Sequence, residues 1–145
     1  MDSFSVRPKW IIFPALHVEA NSAYDSSKPI GEATFDLGCT YNFDPEDSTL
    51  HASVFMENDL DEELNLEYKF NIHIYSVFSI SENYDSLSDK TRKKVTTDVA
   101  GLLLGSIREM LVTLTSRGPW GAYILPFLDI NTLTRDLMKS YQQKG

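Results

Sequence analysis

The sequence predicts an α+β fold, in which a four-stranded antiparallel sheet is followed by a long helix and a shorter C-terminal helix. Two observations support this prediction. Hydrophobic and polar residues alternate over most of residues 33–78, which is typical of strands with one buried face. From about residue 95 the hydrophobic residues recur at steps of three and four, which is typical of an amphipathic helix.

The first predicted strand covers residues 6–18 and differs from the others. Its run Trp10-Ile11-Ile12-Phe13 is hydrophobic on both faces, and Pro8 and Pro14 flank that run. Because proline has no N–H to donate to a neighbouring strand, we expect this strand to be interrupted or to lie at a sheet edge. The polar, serine-rich residues 20–29 predict a loop after it.

Three further strands are predicted at residues 33–43, 50–57 and 64–78, each with a hydrophobic residue at every second position. Residues 44–47 and 58–61 are rich in Asp, Asn and Pro, and they predict the turns between these strands. Connections this short leave no room for helical crossovers, so we expect an antiparallel meander.

The long helix is predicted from the hydrophobic spacing between Val95 and Leu114, and it should run for roughly six to eight turns. Ser88 or Asp89 is a suitable N-cap, and Gly118-Pro119 should end the helix.

The second helix is predicted to begin near Asn131, after an extended hydrophobic piece at residues 123–128, because Leu133, Leu137 and Tyr141 are spaced by four. We therefore expect one domain over residues 1–145, with strands over about 4–80 and helices over about 88–145. The helices should cover one face of the sheet.

Hydrophobic residues also occur where the two helices would not cover them. His73, Tyr75 and Val77 occupy outward positions of the last strand, and residues 102–104 widen the hydrophobic side of the long helix. This is more hydrophobic surface than a two-layer monomer comfortably buries, so we expect a homo-oligomer.

The composition points to a cytoplasmic protein that neither enters a membrane nor binds nucleic acid. The chain has 145 residues without a long hydrophobic stretch, and Met1-Asp2-Ser3-Phe4 does not resemble a secretion signal. Its single cysteine, Cys39, fits a reducing compartment. The net charge is −8, whereas nucleic-acid binding needs clustered Lys and Arg. Residues 1–88 hold four bases against sixteen acids, whereas residues 89–145 hold nine bases against five acids.

No motif predicts an enzyme, a metal centre or a cofactor. His17, His51 and His73 are too far apart in sequence to form a helical ligand pair. Cys39 falls on the buried side of its strand, where a thiol behaves as a small hydrophobic group. A G-x-S-x-G motif and a glycine-rich phosphate loop are both absent from the sequence.

Four segments resemble conserved pieces of the SecB protein-export chaperones. Residues 77–80 (VFSI) are similar to the I-F-x-I segment that closes the last strand of that family. Residues 103–109 (LLGSIRE) resemble the helix motif L-F-P-Y-A-R-E, and residues 115–118 (TSRG) resemble its S-R-G stop. Residues 125–130 (LPFLDI) are similar to L-P-P-V-N-F. The match covers about the last 50 residues, and its departures indicate a divergent member.

The resemblance implies a tetramer built as a dimer of dimers, with grooves that hold unfolded or partly folded client proteins in extended form. It implies no catalysis. In export members the acidic outer face of the sheet meets the ATPase of the translocon, and other relatives are dedicated chaperones for an antitoxin. The chain ends without the longer tail of many export members.

A chaperone that holds clients needs exposed hydrophobic surface, and aromatic side chains suit that purpose. The client-binding candidates are Trp10, Phe13, Tyr75, Phe78, Trp120, Tyr123 and Phe127. We expect Trp120, between Pro119 and Gly121, to lie at the lip of a groove. The densest acidic cluster supplies the candidates for a partner face: Asp59, Asp61, Glu62 and Glu63.

Each candidate has a simpler interpretation, since most buried aromatic residues are ordinary core and most acidic turns are merely solvated. Two other functions also stay open. An adaptor with one cognate partner, such as an antitoxin, would form one tight complex and would not protect unrelated unfolded proteins. A small-molecule carrier would show a ligand-dependent rise in melting temperature.

Overall fold

The computed structural model describes residues 5–31, 35–58, 65–126 and 129–141, and it confirms the α+β prediction. Four antiparallel strands form one sheet: β1 (Val6–Ala20), β2 (Phe35–Asp44), β3 (Thr49–Asn58) and β4 (Tyr68–Ile80). Two α-helices follow, α1 (Asp89–Thr115) and α2 (Ile130–Ser140). Neither helix in the described ranges is long and hydrophobic enough to cross a membrane.

The strand order in the sheet is β1-β4-β3-β2. Strands β2, β3 and β4 form the predicted meander, but β1 pairs with β4 and therefore lies at the opposite edge from β2. The segment after β1 must cross one end of the sheet. Backbone bonds hold it there, from the Asn21 N–H to the Glu67 carbonyl at 2.9 Å and from the Gly31 N–H to the Asn65 carbonyl at 3.1 Å.

Strand β1 is the irregular edge strand that its prolines predict. The register of its pairing with β4 shifts at two places. The first shift lies between Pro8 and Trp10, and the second lies between Ile12 and Ala15, a segment that contains Pro14. A proline cannot donate to the ladder, and the register breaks directly after Pro8, which still pairs with Phe78, and across the segment that contains Pro14.

The last strand begins later than predicted, at Tyr68 instead of residue 64. Two residues before it are engaged by the crossing segment. The Asn65 side-chain amide donates to the Asp25 carbonyl at 2.8 Å, and the Leu66 carbonyl accepts from the Asn21 side chain at 2.7 Å. These bonds take the place of ladder pairing at the start of the strand.

Both helices begin at side-chain caps. The Ser88 hydroxyl accepts from the Thr91 N–H at 3.2 Å, as predicted, and the Asp129 carboxylate accepts from the Asn131 N–H at 2.9 Å. Helix α1 ends at Thr115, three residues before Gly118. A Cβ atom at Gly118 would lie 2.4 Å from the Tyr68 hydroxyl, so a larger residue cannot take this position without displacing Tyr68.

The hydrophobic core lies between the helices and one face of the sheet. Inward side chains of β3 and β4 join those of α1 and α2 in one cluster. Each of these residues is at most 4% exposed: Leu50, Ala52, Val54, Met56, Phe70, Ile72, Ile74, Val99, Leu103, Ile107, Leu111, Leu133 and Leu137. The described helices thus cover this face and leave the opposite face open.

Candidate functional site

The open face of the sheet carries a group of aromatic and aliphatic side chains. The register places Ile12 of β1 beside Tyr75 of β4, and Phe55 of β3 beside His73 of β4. The Trp10 ring lies 5.7 Å from the Tyr75 ring, and the Phe55 ring stacks on His73 with centroids 3.8 Å apart. Trp10, Ile12 and Phe55 remain 45%, 44% and 44% exposed. We call these five residues the outer apolar band.

The sequence placed two members of this band, Trp10 and Tyr75, among the candidates, and the structure brings them together. Ile12 and Phe55 were missed as candidates. The alternation itself contains the signal for Phe55, because Leu50 and Met56 face the core at even positions and Phe55 must therefore point outward.

A chain of hydrogen bonds connects the band to the β2–β3 turn. The His51 Nδ1 lies 2.5 Å from the Tyr75 hydroxyl, and the His51 Nε2 lies 2.9 Å from the Thr49 hydroxyl. The Thr49 hydroxyl donates to the Asp47 carboxylate at 2.5 Å. Burial raises the pKa of Tyr75, and the charge of Asp47 raises it further. The phenol therefore stays protonated at neutral pH and can donate to His51.

Three potential metal ligands meet at the same turn. One ligand atom each from Asp44, Asp47 and His51 lies within 4.8 Å of the others. The wide spacing of the histidines in sequence gave no signal for this group. Both ring nitrogens of His51 already have hydrogen-bond partners, so a metal would have to displace either Thr49 or Tyr75 from the imidazole.

A second hydrophobic surface lies on the helix side of β1. Leu16 pairs with the buried Ile72, so it faces the same side as the helices, yet it is 39% exposed. The candidate Phe13 is partly buried and packs against the core. On α1, Leu102 and Leu114 are 38% and 45% exposed. Strand β1 thus has uncovered hydrophobic residues on both of its faces.

Trp120 is partly buried and holds the crossing segment in place. Its indole N–H donates to the Asn21 carbonyl at 3.1 Å, and its ring meets the Tyr24 ring edge-on at 5.0 Å. Its backbone N–H donates to the Tyr68 hydroxyl at 3.1 Å. Trp120 thus anchors the crossing segment to the end of the sheet, a role that the sequence did not predict.

Tyr123 lies beside the core, with its ring 5.6 Å from that of Phe70 and 6.4 Å from that of Tyr68. Burial, followed by the charge of Glu67, raises the pKa of Tyr123 to about 12. Tyr123 is therefore a half-buried packing residue next to the Trp120 contacts.

Phe78 lies in the core at 3% exposure, so this candidate does not belong to the outer apolar band. It occupies an inward position of β4, where its ring is covered on the helix side. The candidates Phe127, Asp59, Asp61, Glu62 and Glu63 lie outside the described residues.

Two exposed carboxylates border the outer apolar band, one near the start of β2 and the other near the end of β3. Asp36 pairs with Glu57 across the two strands, and both are exposed. With Gly38 and Phe55 they line a hollow of about 320 Å³. The open face thus combines an aromatic centre with an acidic margin, which favours partners that carry both hydrophobic and basic residues.

Cys39 is half-buried, and burial raises the pKa of its thiol. A raised pKa lowers the thiolate fraction at neutral pH, so the structure favours the prediction of a small hydrophobic role for this residue.

Known proteins resemble this chain in three-dimensional structure but not detectably in sequence. No protein-family model matches the chain, and no curated protein sequence matches it significantly. The structure matches a SecB-like chaperone from Mycobacterium tuberculosis that was solved in complex with a ChAD peptide from the HigA1 antitoxin. The TM-score is 0.59 and the sequence identity is 16%, and the match covers 86% of this chain and 91% of that one. The fold is that of a SecB-like chaperone.

A second match is a protein of unknown function from Streptococcus agalactiae, with a TM-score of 0.49 and 13% identity over 87% of this chain and 100% of that one. At 16% identity the first match establishes the SecB-like fold, and it leaves the function to be argued from the residues described above.

Proposed function

We propose that this protein is an ATP-independent chaperone that holds unfolded or partly folded polypeptides. The observation that carries the proposal is the outer apolar band, where Trp10, Ile12 and Phe55 are each more than two-fifths exposed on a sheet face that no described helix covers. A folded monomer gains nothing from exposing large side chains side by side, so such a patch marks an interaction surface.

The physics of holding unfolded chains suits this surface. Burying hydrophobic area is worth about 25 cal/mol per Å² and requires no defined partner sequence. Strand β1 is an edge strand, with no described strand paired to its outer side, and an extended client can bond to such an edge. The band and the edge therefore offer side-chain and main-chain contacts to the same segment.

The proposal includes a homo-oligomer, a cytoplasmic location and the absence of catalysis, metal and cofactor. Leu16, Leu102 and Leu114 supply hydrophobic surface for contact between copies. The margin of Asp36 and Glu57, with the acidic residues 59–63 beyond it in sequence, is the proposed face for a basic partner such as the translocon ATPase.

A second candidate function is a dedicated chaperone or adaptor for one partner, such as an antitoxin. The Mycobacterium tuberculosis protein of the same fold was solved with an antitoxin peptide, and this observation favours that candidate. The two functions differ in breadth, since a dedicated chaperone protects one partner and a general one protects many.

Aggregation of two unrelated proteins, diluted from denaturant at equal molar ratio without ATP, separates the candidates. A general chaperone suppresses light scattering from both, and replacing Trp10 and Phe55 together with Ala weakens that suppression. The control is Ile30→Ala, which removes a side chain that is 60% exposed outside the sheet. If the folded parent protein suppresses neither aggregation, the general function is wrong and the dedicated one becomes the better proposal.

A further inference from the structure

A cavity of about 390 Å³ lies between the first half of α1 and the length of α2. Its lining residues are Lys93, Asn131, Thr134, Arg135, Met138 and Lys139. The volume falls within the range of ligand-binding pockets, at about 300–1,000 Å³. This cavity lies on the helical layer and shares no lining residue with the outer apolar band.

Three of the six lining side chains are cations, and none is an acid. In the part of the chain that the structure describes, the ion pairs of His17 with Glu19, of Lys28 with Asp25 and of Arg92 with Asp89 involve none of the three cations of the cavity. The chain as a whole carries −8, so a cavity with three cations among its lining residues runs against the overall charge.

The remaining lining residues define which anion fits. Thr134 is 2% exposed and donates to the Ile130 carbonyl at 2.8 Å, so its hydroxyl is already satisfied. Met138 is half-buried and adds a hydrophobic side chain to the wall. Carboxylates on aliphatic stems, as in Asp and Glu side chains, can meet the cations and Met138 at the same time.

We propose that this cavity binds an acidic segment of an extended polypeptide, with Arg135 and Lys93 pairing with its Asp or Glu carboxylates. Arginine binds carboxylates through two parallel N–H groups, which makes Arg135 the principal anchor. The net charge of −8 repels long polyanions such as nucleic acid, whereas a short acidic segment needs only the local field of the cavity. The occupant is a client, and in that respect the inference rests on the proposed function.

The cavity gives the chaperone a second client contact of opposite character to the outer apolar band. The band takes hydrophobic residues beside an acidic margin, and the cavity takes acidic residues beside a hydrophobic wall. Clients whose sequence alternates hydrophobic and acidic stretches would engage both surfaces.

The test measures binding of a fluorescent peptide rich in Asp and Glu against a matched peptide with Asn and Gln, at low and high salt. We expect the acidic peptide to bind at least about tenfold more tightly, with the difference lost at high salt. Lys93→Glu and Arg135→Glu should each weaken acidic-peptide binding by at least about tenfold. Lys94→Glu is the matched control, since Lys94 is exposed on the same helix outside the cavity and should change binding less than about twofold.

Equal binding of the two peptides, or an equal loss in the Lys94→Glu control, would overturn the proposal. A change of oligomer mass in the Arg135→Glu variant would also overturn it, because the cavity would then be a contact between copies. Aggregation suppression by the same variants, with a client poor in Asp and Glu, should match the parent. If the parent binds the acidic peptide but suppresses no aggregation, the proposed general function fails while the cavity site stands.

Discussion

The imidazole of His73 stacks on the ring of Phe55, with centroids 3.8 Å apart and the two planes 18° from parallel. The pair occupies facing positions on β3 and β4, on the side of the sheet away from the helices. Phe55 covers one face of an imidazole that would otherwise meet water. The pair thus connects the exposed hydrophobic surface of this protein to a group that titrates near neutral pH.

We predict that His73 titrates below the ordinary histidine pKa, because burial lowers the pKa of this group. Phe55→Ala should move the His73 pKa back toward its ordinary range by uncovering the ring. In the parent protein, the lowered pKa means that folded His73 binds a proton more weakly than unfolded His73 does. The free energy of unfolding of the parent should therefore fall as the pH drops through the histidine range. NMR titration of the His73 imidazole resonances, in the parent and in the variant, measures both pKa values. An unchanged His73 pKa in the variant would show that Phe55 is not the cause.

Trp120→Phe should loosen the segment that crosses the end of the sheet. The variant keeps a ring against Tyr24 but loses the indole bond to the Asn21 carbonyl, which costs about 1 kcal/mol. Amide hydrogen exchange over residues 21–28 should therefore become faster. The matched control is Trp10→Phe, an exposed tryptophan on the open sheet face, which should leave exchange there unchanged. Slower client binding without faster exchange would instead support the groove-lip role predicted for Trp120 from the sequence.

Asn58→Ala should be among the more destabilising substitutions on the sheet. The buried Asn58 amide donates to the Tyr68 carbonyl at 2.6 Å and accepts from the Phe70 N–H at 2.8 Å. Alanine leaves both backbone groups buried without these partners, so we expect a loss of about 2 kcal/mol or more in the free energy of unfolding. Urea denaturation measures it. Asn42→Ala, at a half-buried position of β2, is the control and should cost less than about 0.5 kcal/mol.

Leu114→Glu should lower the oligomer mass without unfolding the chain. Leu114 is 45% exposed on α1, so a charge there costs the monomer little but would be buried in a contact between copies. Multi-angle light scattering measures the mass. Thr113→Glu places the same charge at the neighbouring exposed position and serves as the control. A parent protein that is monomeric from the outset would refute the expected self-association.

The edge position of β1 and the bounds of the two helices could be predicted because they depend on local chemistry. Pro8 and Pro14 lack the N–H that a central strand needs, and the capping side chain of Ser88 acts within its own turn. The pairing of β1 with β4 could not be predicted in this way, because the alternation of side chains says which face a residue occupies but not which strand lies beside it.

In the candidate site too, some features follow from local sequence patterns and others depend on contacts between distant residues. Alternation in β3 was sufficient to place Phe55 outside. The contacts of Trp120 with Asn21 and Tyr24 join residues almost a hundred positions apart. No local pattern in the sequence distinguishes such a structural tryptophan from one at the lip of a groove.

By itself, the sequence determined the order of elements, the inward and outward faces of the strands, the N-cap of the long helix and the opposite charge of its two halves. These properties follow from residue spacing and side-chain type, which act over a few positions. Tertiary structure alone decided that β1 lies beside β4, that His51 meets Asp44 and Asp47, and that Lys93 shares a cavity with Arg135 and Lys139. Those outcomes depend on how distant segments pack, and packing is settled by the burial of the whole core and not by any one segment.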